Sequence, residues 1–182
     1  MSKRLVPTMV LTAGILATTF SCSAWAQQKH AFVMSGEGVK GRYVQQHIID
    51  VDDVPGHQIR NFEIQRTFSP ENQPLIDGER IVEAWVRGYS NYTNGLGPVW
   101  GFTTLITDKG NKIFFEGIGT SEAQLTDSGS RRGTYHGTSR FTGGTGRFAK
   151  IRGLFVDVSK FDTDPKTGYN TVDSHGEYWF EQ

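Results

Sequence analysis

A glycine-rich segment at Phe141–Gly153 constrains the fold of this chain more than any other stretch. Its thirteen residues include four glycines, at Gly143, Gly144, Gly146 and Gly153. Glycine reaches backbone angles that other residues adopt only at a cost, so such segments form tight corners or bulges in sheets. The segment therefore predicts a shaped corner between two strands.

Segments that alternate like strands lie on both sides of this corner and along most of the chain. Short turns rich in Gly, Asp, Asn and Ser separate them, and no helical periodicity of useful length is found. About eight antiparallel strands with short turns are typical of a sandwich or of an up-and-down barrel. The predicted strands are Val39–Val51, Ile59–Phe68, Ile81–Tyr92, Trp100–Thr107, Lys112–Glu122, Gly133–Thr142, Leu154–Phe161 and Val172–Phe180.

One predicted hairpin allows the strand register to be written out. A two-residue turn at Lys109-Gly110 places residues whose numbers sum to 219 opposite one another. Large rings then lie over glycines, which suits a curved sheet that closes on itself. Neither face is plainly polar, so we expect a filled or ligand-holding barrel whose outside also packs, as in an oligomer. The pairs on one face are Ile106 with Ile113, Thr104 with Phe115, Phe102 with Gly117, and Trp100 with Gly119.

The first 26 residues are typical of a signal peptide. Lys3 and Arg4 precede a mostly apolar stretch at 5–20, and Ala24-Trp25-Ala26 offers the small-x-small pattern of a cleavage site. The apolar stretch is too short and too interrupted for a membrane span of about 20 residues. We predict cleavage after Ala26 and export to the periplasm or out of the cell. A lipoprotein anchored at Cys22 is the alternative.

The predicted mature chain, residues 27–182, is the size of one domain and is predicted to form a single β-barrel domain. Cys22 is the only cysteine, so the mature chain would have no disulfide and no thiolate metal site. Removing Lys3 and Arg4 leaves 17 basic against 19 acidic residues, a net charge of −2. This near-neutrality argues against nucleic acid and against a charged membrane patch, and no further apolar run could span a bilayer.

The glycine segment resembles the "strand, GGTGRFA, x-x-x-G, strand" pattern of the allene oxide cyclase-like and dirigent-like barrels. The residues that carry the resemblance are Gly133-Thr134-Tyr135, Ser139–Ala149 and Gly153, and the hairpin Trp100–Gly117 is similar to bacterial members. The resemblance covers roughly residues 81–158. It implies a calycin-like barrel of eight antiparallel strands with an apolar lumen, in dimers or trimers. Members steer the cyclisation of a reactive substrate or the coupling of radicals, and no catalytic residue of the family aligns with this chain.

Two other motifs are explained by ordinary structural roles, without a cofactor or a metal. Gly144-x-Gly146-x-x-Ala149 formally matches a dinucleotide-binding fingerprint. That motif requires a following helix in a parallel βαβ unit, which the surrounding strand pattern does not predict. We therefore expect the segment to form a corner that closes one end of the barrel. His175 shares a strand face with Asp173 and Glu177, which could bind a metal, although a solvated face explains them as well. We therefore predict no metal and no cofactor.

The candidate site residues cluster on the central predicted strands. Glu83 and Arg87 share a parity with Trp85 and Tyr89. If that face points inward, a desolvated carboxylate beside aromatic rings could act as a general base. If it points outward, the two charged residues form an ordinary surface pair, and we favour this second arrangement. The predicted ligand-binding residues are Trp85, Tyr89, Trp100, Phe102 and Phe115.

Three functions follow from these observations. The first is a barrel that holds a small apolar or aromatic ligand and guides its cyclisation or isomerisation by shape, with Glu83 and Arg87 as catalytic candidates. The second is a carrier without chemistry, and the third is a packed structural barrel without a ligand. An inward carboxylate in an open lumen would favour the first function. A lumen filled by side chains would favour the third function, a structural barrel.

Overall fold

The computed structural model describes residues 27–164 and 170–182, apart from the side chains at positions 37 and 38. The predicted signal peptide lies outside the described residues. Nine strands and two short 3-10 helices, Pro70–Asn72 and Gly146–Phe148, are assigned in the described part. The strands are β1 (His30–Asp50), β2 (His57–Thr67), β3 (Leu75–Ile76), β4 (Glu79–Thr93), β5 (Leu96–Thr107), β6 (Lys112–Leu125), β7 (Arg131–Gly144), β8 (Ile151–Asp162) and β9 (Asn170–Phe180).

Eight of these strands form a closed ring. Strands β4 to β9 follow one another as an antiparallel meander, β9 pairs with β1, and β1 pairs with β2. The ring closes where β2 pairs with β4, from His57 opposite Thr93 to Thr67 opposite Glu83. The two-residue β3 only extends the edge at β4. The predicted eight-stranded antiparallel up-and-down barrel is thereby confirmed.

Successive side chains on each strand point alternately into the barrel and out of it. From Glu83 onward the even-numbered residues of β4 face inward, among them Ala84, Val86 and Tyr92, and on β5 the odd-numbered ones do, among them Thr103 and Leu105. The odd positions of β4 after its register shift at Ile81/Glu83 and the even positions of β5 consequently form the outer face. This assignment of faces decides which predicted residues can meet a ligand.

The loop between β5 and β6 is one residue longer than predicted. The Thr107 N–H donates to Asn111 O at 2.9 Å, so the loop contains the three residues Asp108-Lys109-Gly110. Gly110 has a φ of 80°, the left-handed conformation that closes three-residue hairpin loops. The predicted two-residue turn is therefore wrong.

The longer loop moves the hairpin register by one residue. Paired residue numbers sum to 218 instead of 219, so Phe102 lies opposite Glu116 and Trp100 opposite Ile118. When the register between two strands shifts by one residue, each side chain shares a face of the sheet with the other set of side chains on the partner strand. The predicted pairing of these rings with Gly117 and Gly119 is consequently wrong.

One end of the barrel is filled by an aromatic core. Phe32 lies 4.7 Å from Phe155 and 5.1 Å from Phe141, and Phe115 lies 5.0 Å from Phe155, as measured between ring centroids. Each ring is less than a tenth exposed, so each contributes about 1.5–3 kcal/mol through removal of apolar surface from water. This core closes the barrel at the end that carries the glycine segment.

The glycine segment forms the corner between β7 and β8. Gly146–Phe148 is a single 3-10 turn, and Phe148 is fully buried with its ring 6.3 Å from that of Phe180. Thr145 N–H donates to Lys112 O at 2.8 Å and Lys112 N–H donates to the Thr145 hydroxyl at 2.8 Å, which ties the corner to the β5–β6 hairpin. With only three residues in the helical turn, the segment lacks the helix that a dinucleotide site requires.

Candidate ligand-binding site

A cavity of about 700 Å³ occupies the barrel above the aromatic core. All eight strands of the ring contribute to its wall, and it reaches the exposed residues Lys40 and Arg42. Glycines provide part of the space, since Gly101 lies opposite Gly117 in the wall. A cavity of this volume is the size of a site for a small organic molecule.

Much of the cavity wall is formed by apolar side chains. Its side chains come from alternate positions of the strands, so their apolar atoms face the cavity and not the solvent. Such a surface binds a ligand chiefly by removing apolar area from water. The apolar lining consists of Met34, Phe62, Ile64, Phe68, Ala84, Val86, Val99, Leu105, Phe115, Phe161 and Val172.

A buried carboxyl group, Asp157 of β8, lies in this wall. The residue is 8% exposed, and its two oxygens accept hydrogen bonds from the Ser139 and Ser174 hydroxyls, each at 2.5 Å. Burial raises the pKa of Asp157, although the two hydroxyls and the charge of Arg66 act in the opposite direction. A carboxyl group whose pKa is raised by burial is a candidate for taking up or releasing a proton in a reaction.

Tyrosine and arginine side chains surround this carboxyl group. Burial, together with the charge of Asp157, raises the pKa of Tyr135 to about 12, so its hydroxyl stays protonated and can donate a hydrogen bond. Burial also raises the pKa of Tyr92. Burial lowers the pKa of Arg66, and the charge of Asp157 counteracts this effect. The cavity therefore combines an apolar wall with a polar cluster.

Several polar atoms in the wall have no hydrogen-bond partner among the described residues. They are Arg60 Nε, Arg66 Nε, Ser90 Oγ and Asn170 Oδ1, all buried and all in residues that line the cavity. Buried polar groups in proteins are nearly always paired. Their concentration in this cavity marks it as a place where a polar group of a ligand would be accommodated.

The structure places the predicted catalytic residues on the outer face of β4. Glu83 accepts a hydrogen bond from Gln65, and Arg87 Nε lies 2.6 Å from Glu63 Oε1. The Arg87 guanidinium also lies 5.5 Å from the centroid of the Trp85 ring. Both residues pair with side chains of β2 on the outside, so neither contributes to the wall of the cavity.

The predicted ligand-binding residues are divided between the two faces. Phe115 lines the cavity and is 8% exposed. Trp85 and Tyr89 lie on the outer face of β4, and Trp100 and Phe102 lie on the outer face of β5. The latter two rings are 43% and 48% exposed and contact each other at a centroid distance of 4.6 Å.

The four glycines of the predicted corner lie at the closed end. Gly143 and Gly144 end β7, Gly146 begins the 3-10 turn, and Gly153 pairs with Phe141 across β7 and β8. They shape the end of the barrel and are absent from the lining of the cavity.

Sequence reasoning missed the polar residues of the cavity, although a signal for them exists. On β2, Arg60 and Arg66 share the parity of Phe62, Ile64 and Phe68, which marks the inward face. Charged residues at apolar positions of a strand are the pattern expected of a functional interior. On β8, Asp157 interrupts the apolar parity in the same way.

No group of three or more metal-ligating side chains is found in residues 27–164 and 170–182. His175 Nε2 lies 2.6 Å from Asp173 Oδ1, and Glu177 pairs with Lys29. Within the same ranges, no helix has the length and apolar character needed to cross a bilayer.

Fold and cavity together define a small closed antiparallel barrel with a ligand-sized interior. No family model matches the chain, and none of the curated proteins matches it. Among solved structures, it is similar to a pterocarpan synthase dirigent protein at 14% identity and a TM-score of 0.41, over 85% of this chain and 97% of that one. At these values the likeness does not define a family, and the barrel assignment rests on the strand pairings described above.

Proposed function

We propose that this protein is an exported barrel that binds a small, largely apolar or aromatic molecule in its lumen and guides its cyclisation or isomerisation. The observation that carries the proposal is the Asp157 carboxyl group in the wall of a cavity of about 700 Å³. The cavity disfavours a packed structural barrel. The inward carboxyl group favours chemistry over simple carriage, because apolar walls alone would suffice for a carrier.

The proposed mechanism depends mainly on shape. The apolar wall would hold the substrate in a folded conformation, so that its reacting atoms lie close together before the reaction begins. Asp157 would accept or donate one proton during rearrangement, and the Tyr135 hydroxyl would stabilise a developing oxyanion by a hydrogen bond. The resemblance of the glycine corner to the allene oxide cyclase-like and dirigent-like barrels supports this class of reaction.

Ligand binding can be tested by filling the cavity. Val86→Trp would place a large ring in the lumen, whereas Val156→Trp places the same ring on the exposed outer face of β8. Small molecules that co-purify with the exported protein would be identified by mass spectrometry. We expect them with wild type and with Val156→Trp but not with Val86→Trp. Co-purification that is equal in all three proteins would contradict binding in the lumen.

The catalytic role of Asp157 can be separated from binding. The compounds recovered in this way would be incubated with wild type, Asp157→Asn and Glu83→Gln, and product formation followed by chromatography. We expect Asp157→Asn to keep binding and lose turnover by about 10²-fold or more, and Glu83→Gln to keep both. Turnover lost only in Glu83→Gln would instead support the residue chosen from the sequence. Binding without turnover in any of the proteins would indicate a carrier.

A further inference from the structure

Two cationic side chains of the lumen have no ion-pair partner among residues 27–164 and 170–182. They are Arg60 and Arg66, which both project from the inward face of β2. The carboxyl group of Asp157 acts on Arg66 through its charge, and its oxygens already accept hydrogen bonds from Ser139 and Ser174. Asp157 therefore supplies opposite charge near Arg66, whereas Arg66 Nε has no hydrogen-bond partner among the described residues.

The two arginines differ in what surrounds them. They lie six positions apart on one strand, so their Cα atoms are about 20 Å apart and one small anionic group cannot be assigned to both. The Arg60 guanidinium lies 5.8 Å from the centroid of the Tyr92 ring, which offsets part of its charge. Arg66 has no such ring contact among the described residues. Of the two arginines, Arg66 is therefore the one with neither an ion pair nor a ring contact in the described part of the chain.

Asn170 of β9 lies beside Arg66. Both pack against the backbone of Gly41, since a Cβ built there would be 3.0 Å from Asn170 Nδ2 and 3.8 Å from Arg66 Cγ. Arg66 Nε and Asn170 Oδ1 are both buried without a hydrogen-bond partner. A planar guanidinium with a buried, unpaired Nε is suited to a carboxylate, whose two oxygens match its fork geometry.

We infer that the ligand carries a carboxylate group, held by Arg66, and that its apolar body extends along Ile64, Leu105 and Phe115. This inference rests on the proposed binding of a small molecule in the lumen and names its chemical class, an amphipathic monocarboxylate. The Asn170 side chain lies where it would contact the same end of the ligand. The carboxylate supplies the acceptor atom that no described residue offers to Arg66 Nε.

Two probes of the same shape test the inference. 2-Naphthoate and 2-naphthalenemethanol share an apolar body and differ in whether the polar group is a carboxylate or a neutral alcohol. Their affinities for the mature chain would be measured at neutral pH by isothermal titration calorimetry. We expect wild type to prefer the carboxylate by about tenfold or more, the size of a single charged hydrogen-bonding contact.

Three substitutions of arginine by glutamine locate the effect. Arg66→Gln should remove the preference, so that the two probes bind equally. Arg140→Gln removes an exposed cation of β7 that pairs with Glu116 outside the barrel, and this control should keep the preference. Arg60→Gln changes the second arginine of the lumen and should lower the preference less than Arg66→Gln does. Should Arg66→Gln fail to fold by circular dichroism, Arg66→Lys should keep the charge but lower the preference several-fold.

The possible results distinguish this inference from the proposed function. Equal binding of both probes by wild type, or a preference that survives Arg66→Gln, would overturn the carboxylate assignment and leave binding in the lumen intact. A preference lost in Arg60→Gln but kept in Arg66→Gln would likewise overturn it. Absence of binding by either probe would contradict the lumen as a binding site, and the inference would fail with the proposed function.

Discussion

Asp157 illustrates how a single buried residue in a cavity wall can affect the stability of the barrel. Its carboxyl group lies among Ser139, Ser174 and the apolar side chains of the wall, where water is largely excluded. Burial favours the neutral form of an acid and thereby raises its pKa. The same group must then weaken the folded state when it ionises.

The pH dependence of this effect has a definite sign. The pKa of folded Asp157 lies above its unfolded value, so the unfolded chain loses this proton first as pH rises. The favourable contribution of the protonated form is complete below the unfolded pKa, near 3.8, and is lost as pH rises through the folded pKa. Asp157→Asn should therefore gain in stability relative to wild type as pH rises through this window.

The measurement is urea denaturation of both proteins from about pH 4 to about pH 8. The difference in unfolding free energy, variant minus wild type, should increase with pH and then level off. A difference that stays constant across the range, or that falls with rising pH, would show that burial does not raise the pKa of this group.

At the level of elements, the corner between β7 and β8 depends on a contact with the β5–β6 loop. Gly146 has a φ of 55°, and a Cβ at this position would lie 2.3 Å from Asn111 Oδ1. Asn111 cannot move freely, because its Nδ2 donates to both carboxylate oxygens of Glu79, at 3.1 and 3.0 Å. Glu79 is only 1% exposed, so its hydrogen bonds are difficult to replace with water.

Gly146→Ala should therefore destabilise the barrel more than Gly110→Ala does. Gly110 has a φ of 80° and no atom within 4 Å of the position of its Cβ, so alanine there adds only backbone strain, about 1–2 kcal/mol. Gly146→Ala adds the clash with Asn111, and we expect about 3 kcal/mol or more in total. Chemical denaturation of the two variants provides the comparison. Equal losses in the two variants would contradict the proposed contact.

The positions of the strands were largely predictable from the sequence. Which face of each strand points into the barrel was not. Alternation between apolar and polar residues located the eight strands of the ring, although β1 begins at His30 and not at Val39, since Gly36 and Gly38 interrupt the pattern. The direction of each side chain, however, depends on the hairpin register, and one additional loop residue is enough to change it.

The position of the site could not be predicted for the same reason. The β4 segment has large apolar residues on both parities, Trp85 and Tyr89 on one and Val86 and Tyr92 on the other, so its sequence alone does not identify the inward face. Asp157 meets Ser139 only through the pairing of β7 with β8, 18 residues away along the chain. Such a contact follows from the closed ring and not from local patterns.

On the scale of the whole molecule, the outer surface is unusually aromatic. Tyr89, Trp100 and Ile118 lie side by side across β4, β5 and β6, and are 37%, 43% and 60% exposed. The Phe102 ring adjoins Trp100. Contiguous apolar patches of this kind usually mark a contact between proteins. They are consistent with the dimer or trimer expected from the sequence, which stays a prediction.

We expect a second copy of the chain to cover this patch. The double substitution Trp100→Ser and Phe102→Ser should convert the oligomer to a monomer, as measured by size-exclusion chromatography with light scattering. Leu154→Ser changes an even more exposed apolar residue on β8 and should leave the molecular mass unchanged. A monomeric mass for wild type would contradict the prediction.

The glycines of the cavity wall limit how the volume of the cavity could change through substitution. Gly101 and Gly117 face each other across β5 and β6, and a Cβ at Gly101 would lie 2.8 Å from the Arg87 carbonyl oxygen. Any larger residue at Gly101 would push neighbouring backbones apart, and at Gly117 a Cβ would lie 2.5 Å from the Ser139 hydroxyl oxygen, so both positions stay bare. A change in the volume of the cavity would consequently have to come from lining residues that carry side chains, such as Phe62, Val86 and Val99.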